Sequence, residues 1–237
     1  MNTFRKTAIL VGILYIIGTV AGILSMVCTQ ALFNDPGFPA IVSGNENQII
    51  LGALFVLTMG LALALVPVVM YPLLKKINTA LAMGYVVYRG GLETFTYMVT
   101  VICWLLLVPV SQGVVRAGAA RDMDQALGIL LRKAGDISST LTAIVFPLGA
   151  LMFYYLLYRS NLIPRWISVW GMIAVILNLM STGLAPMFGL LDSMSPLQTA
   201  SNLPIFLQEM VMAVWLIAKG FNAPAIASLA SRTVAES

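Results

Sequence analysis

An all-α fold, an integral membrane bundle of six transmembrane helices, is what this sequence predicts, on three observations. Hydrophobic residues make up 60% of the 237 positions and charged residues only 9%, against about 25% charged in soluble domains. Six apolar runs are each long enough to cross about 30 Å of hydrocarbon. No hydrophilic block is long enough to form a soluble domain of its own, so residues 1–237 read as a single membrane domain.

The first run, residues 7–28, is too long for the core of a signal peptide and no small-x-small cleavage site follows it, so it reads as a retained helix. Within it Gly18 and Gly22 form a small-xxx-small pair, which is expected to let a neighbouring helix approach closely. A polar connection follows, with turn chemistry at Asn34-Asp35-Pro36-Gly37. Asn45 or Ser43 is placed to cap the next helix, and Glu46 to favour its positive end. The second span covers residues 49–72 and the third residues 81–107, with Lys75 and Lys76 in the short loop between them. In the long connection after it, Ala126, Leu127, Leu130 and Leu131 recur at helical spacing among charges, which predicts a short interfacial helix between spans three and four. Asp122 and Asp124 at its start read as helix-dipole partners. The fourth, fifth and sixth spans cover residues 136–158, 166–187 and 202–218, with a turn-rich link around Asp192 between the last two. Residues 222–237 form a tail whose last dozen residues are expected to be loosely ordered.

Counting cations sets the orientation. The amino terminus, the Lys75/Lys76 loop, the Arg159/Arg165 loop and the tail hold eight basic residues; the opposite loops hold four, Arg116, Arg121, Arg132 and Lys133. The richer side is expected to be cytoplasmic, so both termini and the tail lie inside. The net charge of +4 therefore reports orientation, and a nucleic-acid partner is not expected.

One constellation breaks the apolar pattern. Arg89 and Glu93 lie inside the third span, four residues apart on one helix face, and Tyr85 and Tyr97 continue that face. Each such charge costs roughly 2.5–3.5 kcal/mol near a bilayer centre, so a partner is required. Glu209, near the middle of the sixth span, is the expected third member. Two carboxylates and one guanidinium leave one negative charge unbalanced, and Glu209, with no cation within a turn of its own helix, is the better place for a balancing proton. Asp136 and Glu46 sit near the outer ends of their helices and are secondary candidates.

Several chemistries are excluded. The chain has no histidine, and Cys28 and Cys103 fit no metal spacing. Two separate buried thiols are a simpler reading of the cysteines than a disulfide. No metal and no cofactor is expected, and no catalytic residue can be named. The expected partners are membrane lipids and an unidentified small molecule or ion.

Certain stretches, taken together, resemble a known family. These are Asn45-Glu46-Asn47-Gln48, Tyr88-Arg89-x-x-x-Glu93, Pro164-Arg165-Trp166-Ile167-Ser168-Val169-Trp170-Gly171, and Glu209 followed by Trp215-Leu216-Ile217-Ala218-Lys219-Gly220-Phe221-Asn222. The chain is similar, over nearly its whole length, to the bacterial "domain of unknown function 4386" membrane proteins. The resemblance implies a multi-pass protein of a bacterial inner (plasma) membrane and carries no activity with it.

Three functions compete on the residues alone. The charged cluster could line a polar cavity that binds or transports a small molecule, ion or proton. It could instead hold helices together in a structural or regulatory membrane protein. A lipid-modifying enzyme using paired carboxylates is the third, for which no nucleophile with an adjacent base is found. An open polar cavity reaching Glu93 favours the first; a dry, fully paired cluster favours the second.

Overall fold

The computed structural model describes residues 3–116, 121–191 and 196–235. Asp192, residues 117–120 of the long connection and the last two tail residues lie outside the described residues. Six helices are long and apolar enough to cross a membrane: α1 (Thr3–Phe33), α2 (Glu46–Leu74), α3 (Thr79–Val115), α4 (Arg121–Ser160), α5 (Arg165–Met187) and α6 (Pro196–Ala218). A shorter helix, α7 (Ala223–Ala235), follows in the stretch expected to be a tail.

Each spanning helix packs against its neighbours in the chain, and α6 returns to α1, so the six form a closed ring. Antiparallel succession places Lys75, Lys76, Arg159 and Arg165 at one end of the ring, here the basic end. Small residues set the close contacts, as they must where lipid gives no hydrophobic drive between helices. A Cβ on Gly12 would lie 2.6 Å from Ile217 and 2.7 Å from the Ala213 carbonyl oxygen on α6. A Cβ on Gly18 would lie 2.8 Å from Leu63, and one on Gly22 2.9 Å from the Met59 sulfur, both on α2.

The ring is clasped at its basic end. Arg5 on α1 donates to the carbonyls of Leu216, Ile217 and Ala218. A cation there satisfies carbonyls that a helix end leaves open and matches the negative end of its dipole. Gly220, at φ +76°, turns the chain out of α6, with its N–H bonded to the Trp215 carbonyl. At the start of α3, Asn78 caps by accepting from the Leu81 N–H at 2.9 Å.

Three local expectations are corrected. Asp122 to Lys133 is not a separate interfacial helix. It forms the first turns of α4, a 40-residue rod about 60 Å long at 1.5 Å per residue. Nothing there stops the helix: Gly135 is tolerated, Ser139 and Thr140 bond back to the carbonyls of Gly135 and Asp136, and Arg132 pairs with Asp136 at 3.3 Å. One side of it meets the far end of the ring, where the Arg132 guanidinium lies 4.0 Å above the Phe33 ring and Leu131 joins Leu32, Val42, Ile49 and Leu107, while Ala126, Leu127 and Leu130 stay exposed. Neither Asn45 nor Ser43 caps α2 with its side chain; the Asn45 amide donates back to the Ile41 carbonyl instead. The tail carries α7, with Ala225 and Leu229 in the main core.

Candidate functional site

Two stretches of π-helix, with hydrogen bonds reaching five residues back, interrupt the spans. They are Val86–Leu92 in α3 and Leu179–Leu184 in α5. The Glu93 N–H bonds the Tyr88 carbonyl, and the Ala185 N–H bonds that of Met180. Such turns are frequent at functional sites. Both lean on α4 through glycine: a Cβ on Gly149 would lie 3.2 Å from the Arg89 nitrogen, and one on Gly183 2.8 Å from the Ala143 carbonyl oxygen.

The first π turn carries Arg89 into the ring. Its guanidinium meets Glu93 at 3.2 Å and Glu209 of α6 at 3.3 Å, and lies 4.5 Å above the Phe146 ring. Exposure is 3% for Arg89, 1% for Glu93 and 15% for Glu209. The Tyr97 hydroxyl donates to Glu93 Oε1 at 3.0 Å. Glu93 Oε2 and Arg89 Nε are buried with no hydrogen-bond partner. Two carboxylates thus share one guanidinium, and one of them keeps an unused acceptor. In a low-dielectric interior that imbalance calls for a proton or a bound cation.

A cavity of about 470 Å³ reaches this cluster. Every span contributes to its wall, including Gly18 and Gly22 of α1, Met59 of α2, Tyr97 of α3, Thr142 of α4, Asn178 and Thr182 of α5, and Asn202 of α6. The polar wall is tied across helices. The Asn178 amide donates to Asn202 Oδ1 at 2.6 Å and the Thr182 hydroxyl to the same oxygen at 2.9 Å. On the other side Thr142 of the wall is tied to α3, its hydroxyl donating to the Thr96 hydroxyl at 2.7 Å. Asn178 Oδ1 is left without a partner.

Of the residues singled out in the sequence, Arg89, Glu93, Tyr97 and Glu209 come together, and all four line the cavity. Tyr85 sits one turn toward the basic end, its ring stacked on Phe153 at 4.6 Å within the main core. Asp136 is half exposed and pairs with Arg132 on α4. Glu46 accepts from the Gln112 amide at 2.8 Å and joins α2 to α3 at the far end. Cys28 and Cys103 are free thiols. Among the described residues, no three His, Cys, Asp or Glu side chains gather as a metal set.

Sequence reasoning passed over the neutral polar residues. In the sequence Asn178, Thr182 and Asn202 fall within apolar spans and carry no motif. The available signal is the clustering of Asn178 and Thr182 with Ser181 and Gly183 in an otherwise aliphatic run; Asn202, in the next span, gives none. Gln208 was passed over too. It is fully buried, accepts from the Tyr154 hydroxyl at 2.7 Å and donates to the Ile167 carbonyl at 3.0 Å, fastening α4, α5 and α6 beside Glu209.

A family model described as "Domain of unknown function (DUF4386)" matches residues 10–220. No curated protein matches the chain, and no solved structure does.

Proposed function

The chain belongs to the DUF4386 family, and we propose that it is a multi-pass membrane protein that binds or transports a small solute at Arg89, Glu93 and Glu209. One observation carries this reading: a cavity walled by all six spans reaches all three charged side chains. An internal lock between helices needs no such space. The volume of about 470 Å³ falls in the usual range for small-molecule pockets, roughly 300–1,000 Å³. The unused acceptor on Glu93 supports a ligand or proton as the missing partner.

The proposal extends to the setting, a bacterial plasma membrane with both termini cytoplasmic. The eight-to-four split of basic residues supports that orientation. Reporter fusions after Lys76 and after Arg121 are expected to show opposite sidedness; the same sidedness at both refutes it.

A second reading is favoured by the pairing itself. Arg89 joins α3 to α6, which suits an ionic lock in a structural or regulatory protein. Native mass spectrometry of protein released from nanodiscs separates the two. The wild type is expected to retain a small molecule that Thr142→Trp, which fills the cavity, does not. Equal retention by both, or none by either, supports the lock.

A further inference from the structure

We propose that the ligand of this cavity is an amphipathic amine taken from the bilayer. Its ammonium sits among Glu93, Glu209 and Asn178, and its apolar tail leaves between α1 and α6. This deepens the reading of the cavity as a ligand site and rests on it.

Charge is the first ground. With both carboxylates ionised against one guanidinium one negative charge is unbalanced; a proton or a cationic head neutralises it, whereas an anionic head adds to it. Unused hydrogen-bonding capacity is the second. Glu93 Oε2 and Asn178 Oδ1 are buried acceptors without partners, on side chains 1% and 7% exposed that both line the cavity. An ammonium brings three donors and no acceptor. A carboxylate or phosphate head brings only more acceptors. Among the described residues that line the cavity, the one buried donor without a partner, Arg89 Nε, belongs to a guanidinium already engaged by both acids.

The third ground is the way out. Near the basic end α1 and α6 touch, with Gly12 against Ala213 and Ile217. Beyond that point Gly18 and Gly22 turn to α2 instead. There Ile23 and Met26 of α1 and Phe206 of α6 line the cavity while remaining 45%, 53% and 38% exposed. The cavity thus has a charged floor and an apolar rim facing the lipid tails. A hydrophilic cation has no use for that rim; a single-chain amine fits both ends.

The test uses the full chain in nanodiscs with two photoreactive probes of equal chain length, dodecylamine and dodecanoate, each with a diazirine in the tail. The amine is expected to label the segments around Ile23, Met26 and Phe206 saturably, and unlabelled dodecylamine but not dodecanoate displaces it. Glu209→Gln, close in shape to the native residue, raises the half-saturating concentration about tenfold or more by removing a charge-assisted bond. Ile23→Trp, a change on the exposed rim that leaves the cluster intact, abolishes the slit labelling. Saturable labelling by dodecanoate and not by the amine overturns the amine while leaving the cavity a ligand site. Amine labelling that saturates but ignores Glu209→Gln overturns the placement of the head. If neither probe saturates, the amphipathic ligand is refuted; retention of a solute lost in Thr142→Trp then decides whether the cavity reading survives.

Discussion

The two halves of the ring are built from the same six helices and differ in what fills their centre. Toward the basic end the centre is solid. Tyr15, Tyr85, Phe153, Tyr154, Leu156 and Leu157 are all at most 1% exposed, and Phe153 stacks on Tyr85 and meets Tyr154 at a tilt. Toward the far end buried apolar residues form only small groups, around Leu107 and around Val101, and the centre holds the cavity. Their polar groups differ in the same sense. Gln208 in the solid half uses both ends of its amide across three helices. Glu93 and Asn178 in the open half each keep an unused acceptor. The lesson is that polarity within a membrane does not by itself make a site. A matched amide works as a fastener, whereas a charge cluster with unused capacity beside open space supports the ligand-site reading proposed above.

The largest loss is expected at the aromatic core of the basic half. Phe153→Ala is expected to cost about 3–5 kcal/mol, as for a large buried aromatic. Phe206→Ala, on the cavity rim, is expected to cost under about 1 kcal/mol because the site is not packed. Thermal unfolding in detergent measures both; similar losses would erase the distinction between the halves.

The next effect is at the cluster. Arg89→Leu strands two buried carboxylates and is expected to cost about 3–5 kcal/mol. Adding Glu93→Gln removes one of the stranded charges, so the double variant should recover part of the lost stability. A double variant less stable than the single would show that Arg89 contributes something other than charge balance.

A smaller effect is expected where the halves meet. Gly18→Leu with Gly22→Leu drives side chains into Leu63 and Met59, an overpacking expected to cost about 1–3 kcal/mol. Unchanged stability would mean that α1 shifts freely and that the wall of the cavity is soft.

Much of this fold is legible in the sequence, because hydrocarbon thickness imposes a length on every apolar run. The runs do not mark where helices end. α3 continues to Val115 and α4 begins at Arg121, since backbone hydrogen bonding persists past the apolar stretch. Arg89 and Glu93 are legible as a pair from their spacing. That Glu209 joins them depends on closure of α6 against α1, a tertiary fact that its own helix does not encode. The π turns leave only a faint trace, Gly90-Gly91 and Gly183. Asn178 and Asn202 leave less, because a neutral amide costs little enough in a span to pass for background.

The far half is open down to the ionic cluster, and the aromatic centre of the basic half is packed solid. The direct measurement starts from a chain in which Cys28 and Cys103 are replaced by alanine. Single cysteines are then placed at Thr182, on the cavity wall, and at Ala213, in the solid core. The reaction rate with N-ethylmaleimide, which enters bilayers, is read in nanodiscs. Ready modification of the Thr182→Cys protein is expected, with the Ala213→Cys protein protected until it unfolds. Equal protection at both positions would mean that the far half is as closed as the core.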